Sequence, residues 1–172
     1  KKDKGVLDLA QAFIKLPLFQ NPVHLLIVGS DEEGLEPKIR KICTSYEKRL
    51  HFVSLTEFPE RYLAAADVLC LPSYREGFGN VIIEGASTGI PSIASRIYGV
   101  MDAIQENETG LLHEAGNSDE LAAKMNMLLK DPELRKKMGE NALVYSRQHF
   151  SKETVTKAWF DYYQGIVGGE LF

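Results

Sequence analysis

The chain has 172 residues, 44% of them hydrophobic and 26% charged, which suffices for one globular domain with a buried core and excludes a disordered chain. A formal net charge of −4 and a pI near 5.6 exclude a broad basic surface for nucleic acid or anionic lipid, so phosphate recognition must be local. No apolar run reaches the roughly 18 to 20 residues that span a bilayer, and the opening KKDKGVLDLAQAF has no signal-peptide pattern, so the domain reads as soluble and cytoplasmic.

The segments alternate between helical and strand periods in chain order. Residues 5–16 read as an amphipathic helix, with Val6, Leu9, Ala10, Phe13 and Ile14 on one face and Pro17 ending it. Residues 23–28 form a short uninterrupted apolar run, as expected of a parallel strand buried on both faces. A helix over 32–48, a strand over 51–54, a helix over 59–66 and a strand over 68–71 follow. The second half repeats the pattern: helix 80–88, strand 91–94, a short helix over 100–106, a turn at 107–110, and strand 111–113. Three helices close the chain, over 118–129, 132–148 and 151–167, with Ser151 as N-cap of the last.

This alternation predicts one α/β domain, a Rossmann-like parallel sheet flanked by helices. A chain that opens on KKDKG and enters a helix at once lacks the strand expected before that helix, so a fragment of a longer protein is expected. Cys43 and Cys70 have neither disulfide nor metal spacing and read as reduced packing residues.

In open parallel sheets, ligands bind beyond the carboxyl ends of the strands. The loop PSYREGFGN after Leu71 is the one rich in chemistry. Gly77 and Gly79 let the backbone approach a ligand, and the free amides of Asn80, Val81 and Ile82 at the following helix start suit a phosphate. Glu84 stands among Val81, Ile82, Ile83 and Ala86, so burial is expected, and a buried carboxylate has to meet donors or line a polar cleft. It lies one turn past Asn80, where it can accept two hydroxyls of a ribose, while Glu76 lies nearer whatever the diphosphate carries. The same residues also admit a plain reading: a capped helix with a carboxylate held by structural donors, and Arg75 and Arg96 as solvated or structural cations. An oxidoreductase is disfavoured, because VGSDEEG after the first strand lacks GXGXXG spacing.

Glu76-Gly77-Phe78-Gly79, with seven residues between Glu76 and Glu84, resembles the EX7E motif of retaining GT-B glycosyltransferases. The likeness extends through ADVLCLPSYREGFGNVIIEGASTGIPSIAS, ENETGLL and LAAKMNMLLKDPELRKKMGENA, covering the chain as the C-terminal donor-binding domain. The wording resembles enzymes of bacterial surface polysaccharide and lipopolysaccharide synthesis.

The resemblance implies transfer of a sugar from a nucleotide diphosphate to an acceptor hydroxyl with retention of configuration. Glu76 would contact the donor sugar and, with Lys4, act catalytically. Gly77, Phe78 and Gly79 would touch the sugar and phosphate, Asn80, Val81 and Lys4 the diphosphate, Glu84 the ribose, and Ser54 and Leu55 the base. The family's second diphosphate-binding cation, an arginine five residues before the lysine, would fall upstream of Lys1. Gly85 stands where alanine is usual, and Asp102 where glutamate is commoner.

No cofactor and no metal are expected, in keeping with the lack of an Asp-X-Asp pair. A uridine diphosphate sugar is the favoured donor, with GDP-mannose behind it. A saccharide or lipid-linked acceptor would be bound by a missing N-terminal domain, and the resemblance leaves room for a full-length protein peripheral at the inner membrane face. The alternative kept open is a non-catalytic sugar-nucleotide-binding or assembly module.

Overall fold

The structure, a computed structural model, describes residues 2–17 and 19–168. A 3-10 turn at Lys2–Lys4 leads into α1 (Val6–Ile14), β1 (Leu25–Val28), α2 (Glu36–Ile42), β2 (Leu50–Val53), α3 (Pro59–Ala64) and β3 (Leu69–Leu71). Then follow α4 (Asn80–Ser87), β4 (Ser92–Ser95), α5 (Tyr98–Met101), β5 (Gly110–His113), α6 (Ser118–Lys130), α7 (Pro132–Phe150) and α8 (Lys152–Gly168). The order is the expected α/β alternation, and every strand pairs in parallel.

The single expected sheet is, among the described residues, two: β1 with β2, and β3–β4–β5 in that order. The central strand β4 is buried on both faces, and so is β5. Strand β1 is not. Its burial alternates, with Leu25 covered and Leu26 and Val28 each 38% exposed, because one of its faces and one of its edges open onto a cavity rather than onto protein. The expectation of a strand buried on both faces fails there for that reason.

One apolar cluster fills the space where α1, α2 and α6 meet the strands, around Leu9, Phe13, Leu35, Ile39, Leu121 and Leu128. A second gathers Ile82, Val100, Ala103, Ile104 and Leu112 where α4 and α5 cover β4 and β5. Cys43 and Cys70 pack with the first cluster, both free; burial raises the Cys43 thiol and pushes that of Cys70 up to about 12, so both stay protonated.

Two helices differ from expectation for identifiable reasons. The helix expected over 32–48 starts only at Glu36, because Pro37 is tolerated in the first turn but not in the interior. Asp31 caps it, its carboxylate accepting from the amides of Leu35 (2.7 Å) and Glu36 (2.8 Å), which hold its pKa below the usual carboxylate value. Residues 44–49 continue as a 3-10 turn instead. The helix expected over 100–106 is one turn at 98–101; the Gln105 amide donates to Thr109 Oγ1 (2.9 Å), and Asn107 takes a left-handed φ of 66°, so the chain turns where a helix would continue. Ser151 caps the last helix as expected, its Oγ accepting from Thr154 N at 3.1 Å, and Asn117 and Asp131 likewise accept from the third amides of α6 and α7. Helix α8 packs on α7 and leaves Trp159, Phe160, Tyr162 and Tyr163 exposed. No helix among the described residues is long and apolar enough to cross a membrane.

His113, at the carboxyl end of β5, is almost completely buried. Its Nδ1 lies 2.8 Å from the Glu114 carbonyl, which can only accept, so Nδ1 carries the proton and the buried Nε2 has no partner among the described residues. Desolvation lowers its pKa. The native state therefore keeps the ring neutral while the unfolded chain takes up a proton as pH falls through about 6.5, so stability present above that pH is lost below it. Thermal unfolding of His113→Gln is expected to show a smaller decline in midpoint between pH 7 and pH 5 than the parent; equal declines would remove His113 from the acid response.

Candidate functional site

The site forms at the carboxyl ends of the strands, where the loop after β3 meets the turn before α1. Gly5 caps α1 in the left-handed conformation (φ 63°), and a Cβ there would lie 1.9 Å from the Pro72 carbonyl oxygen. The start of α1 is thus pressed against the end of β3. The Tyr74 amide donates to the Asp3 carbonyl (2.7 Å), a second tie between the two segments.

Lys4 is carried by this junction to Glu76. Its Nζ lies 2.7 Å from Glu76 Oε1, which also accepts from Ser73 Oγ at 2.7 Å. The Glu76 side chain is 12% exposed and that of Lys4 42%, so the pair sits at a mouth, with the carboxylate inside and the ammonium reaching water. Ser73 is fully buried, and its hydroxyl fixes one carboxylate oxygen.

The glycine loop is held from two further sides. Gly99, at the start of α5, comes so close that a Cβ would be 2.0 Å from the Glu76 carbonyl oxygen and 2.8 Å from that of Gly77. The Phe78 ring meets Phe150 edge-on at 5.6 Å, and Phe150 in turn meets Tyr145 at 5.6 Å, so the end of α7 braces the loop. Gly79 closes the loop with φ 72° as N-cap of α4, and its carbonyl accepts from Ile82 N at 2.8 Å, so the Ile82 amide, expected to be free for an anion, is taken up by the turn. The amides of Asn80 and Val81 then begin a helix with no carbonyl one turn earlier to receive them, a surface for an anion.

A cavity of about 2140 Å³ takes in Lys4, Ser54, Leu55, Glu76, Gly77, Phe78, Gly79, Asn80 and Val81 together. These residues, chosen from sequence, come from three separate segments. Leu55 lies on its far side, 82% exposed beyond the end of β2.

Glu84 is the one candidate outside the lining. Helix α4 buries Ile82, Gly85 and Ala86, and Glu84 points to solvent instead. The burial expected of its carboxylate is therefore wrong: apolar residues on both sides in sequence do not share its face of the helix. It keeps the i, i+4 relation to Asn80, at the same exposed face. Gly85 has a local cause: a Cβ there would meet Leu69 Cδ2 at 2.9 Å, so α4 lies too close to β3 for alanine without adjustment.

Arg96 is structural, donating Nη1 to Glu106 Oε2 (2.9 Å) and Nη2 to Oε1 (2.5 Å); this hydrogen bonding lowers the Glu106 pKa. Arg75 and Asp102 are exposed. Ser73, Gly99 and Phe150 were not singled out in the sequence. Ser73 adjoins the loop in sequence, whereas the roles of Gly99 and Phe150 depend on contacts across 22 to 72 residues of chain that no local pattern reports.

Residues 1–144 match the family described as Glycosyl transferases group 1. The chain belongs to this family. Among curated relatives, N-acetyl-alpha-D-glucosaminyl L-malate synthase of Bacillus anthracis is 31% identical over 97% of this chain and 44% of its own. The capsular polysaccharide biosynthesis glycosyltransferase CapM of Staphylococcus aureus is 29% identical over 90% of this chain and 41% of its own. Among solved structures, Anabaena HepE in complex with UDP superposes with a TM-score of 0.88 at 24% identity, over 96% of this chain and 46% of that one. A sucrose-phosphate synthase from Thermosynechococcus elongatus gives 0.84 at 30% identity, over 98% and 44%. The fold is that of one Rossmann-like domain of GT-B glycosyltransferases, and this chain spans less than half the length of these relatives.

Proposed function

We propose that this chain forms the donor-binding half of a retaining glycosyltransferase that moves a hexose or N-acetylhexosamine from a uridine diphosphate to an acceptor hydroxyl in bacterial surface polysaccharide or lipopolysaccharide synthesis. The observation that carries the reading is the Lys4–Glu76 pair at 2.7 Å, set beside the glycine loop and the start of α4 in one cavity. A carboxylate there can accept sugar hydroxyls, while the Lys4 ammonium and the Asn80 and Val81 amides stabilise charge on the leaving diphosphate as the sugar becomes oxocarbenium-like. In the EX7E arrangement Glu84 takes the ribose hydroxyls, and its exposure on α4 leaves both its oxygens accessible. Ser54 and Leu55, across the cavity, take the base.

Two relatives carry names from capsular polysaccharide and lipopolysaccharide core biosynthesis, which supports the acceptor class, and HepE bound to UDP supports the donor base. The acceptor would be held by a further domain, so the isolated chain is expected to bind nucleotide and to transfer nothing. Thermal shift with UDP, GDP and ADP at equal millimolar concentration tests the donor. UDP is expected to raise the midpoint most, a ligand at about 100 times its dissociation constant adding roughly 2.7 kcal/mol. A larger shift with GDP or ADP would reject the uridine assignment, and no shift with any of them would reject the nucleotide site.

A further inference from the structure

His24 directly precedes β1, and His51 is the second residue of β2. Leu26 pairs with His51 in the parallel register, and His24 stands two residues before Leu26, so both imidazoles project from the same face of the β1–β2 pair. The rings stack with centroids 5.2 Å apart and planes 27° from parallel, and His24 Nδ1 lies 2.9 Å from His51 Nε2. Both residues are exposed, and both line the cavity at the amino ends of the strands, the end remote from the glycine loop. Water serves an exposed imidazole about as well as a second imidazole does, so a hydrogen bond between the two adds little to stability and does not account for their convergence.

We propose that His24 Nδ1 and His51 Nε2 together bind one divalent transition-metal ion of the copper(II) or nickel(II) class, with water in its remaining positions. Imidazole nitrogen binds such ions at about 2.0 to 2.1 Å. Two bonds of that length at a right angle hold their nitrogens about 2.9 Å apart, whereas the tetrahedral angle of zinc sets them about 3.4 Å apart. The observed 2.9 Å is therefore the spacing of a square or octahedral ion. In the hydrogen-bonded pair one of the two facing nitrogens carries a proton. Binding moves that proton to the far nitrogen of the same ring, so both facing lone pairs reach the ion and both rings stay neutral.

Among the described residues no group of three or more His, Cys, Asp or Glu is placed to hold a metal, so the protein contributes these two ligands and the ion keeps open positions. The bound ion links the amino ends of β1 and β2, about 10 Å along β2 from Ser54. It stands apart from Lys4 and Glu76, takes no part in sugar transfer, and does not depend on whether the cavity holds a nucleotide.

The test is calorimetry near neutral pH with copper(II), nickel(II) and zinc(II) chlorides on the parent chain, His24→Gln and His51→Gln, with circular dichroism to check that the variants keep the parent's fold. One copper(II) per chain is expected, with nickel(II) bound ahead of zinc(II) as the right angle requires. Each substitution is expected to weaken copper(II) binding by about 100-fold, because a single imidazole loses the effective concentration of the second. The electron spin resonance spectrum of the copper-loaded parent needs no substitution and is expected to show two coordinated imidazole nitrogens. A parent without a saturable copper(II) site, a folded variant that keeps the parent's affinity, a spectrum with fewer than two imidazole nitrogens, or zinc(II) bound more tightly than nickel(II) would each overturn the proposal.

Discussion

On the proposed mechanism, Glu76→Ala in a transfer-competent protein carrying this domain is expected to lower the transfer rate by about 100-fold or more, with only a modest loss of nucleotide affinity. The magnitude is that of removing one preorganised group that acts mainly in the transition state. Folding should barely change. Lys4 loses its partner but is 42% exposed and regains water, and the cost is limited to the buried Ser73 hydroxyl, left without its acceptor, at about 1 kcal/mol. Glu76→Gln separates the two roles, because the amide oxygen still receives Ser73 while the charge opposite Lys4 is gone. Glu84→Ala is expected to behave in the opposite way, weakening nucleotide binding by about 10- to 100-fold through loss of hydrogen bonds to a charged acceptor. Calorimetry with UDP on both variants, beside turnover assays, decides. An unchanged affinity for Glu84→Ala would end its ribose role, and full turnover by Glu76→Ala would end the proposed mechanism.

Much of this site was legible in the sequence because its parts are contiguous. Residues 76–84 run from loop to helix without a break, so glycines, carboxylate and helix start declare themselves together. Lys4 is different. Nothing local to KKDKG points at Glu76, 72 residues away, and the contact rests on Gly5 fitting against Pro72. The two failures have one root. Neighbours in sequence suggested that Glu84 is buried and that β1 is covered on both faces, yet burial is set by what packs on each face. Helix α4 turns Glu84 away from β3, and β1 faces a cavity on one side.

Gly5→Ala is expected to cost about 3 kcal/mol, and Gly34→Ala about 1 kcal/mol, although the two glycines have nearly the same φ, 63° and 62°. The shared backbone conformation strains an alanine equally at both, by about 1 kcal/mol. They differ in space: a Cβ at Gly34 meets nothing within 4 Å, whereas at Gly5 it falls 1.9 Å from the Pro72 carbonyl oxygen and 2.8 Å from its carbon, rigid backbone that has to move. The excess at Gly5 therefore measures how tightly the start of α1 is held against the end of β3. In a chain of this length the midpoints should fall by roughly 6 to 12 °C and 2 to 4 °C respectively. Because Lys4 precedes Gly5, the shift also draws the ammonium away from Glu76, so Gly5→Ala should weaken UDP binding and Gly34→Ala should not. Equal losses of midpoint would mean that the Gly5–Pro72 contact relaxes freely. The position of Lys4 beside Glu76 would then lose the constraint on which it depends.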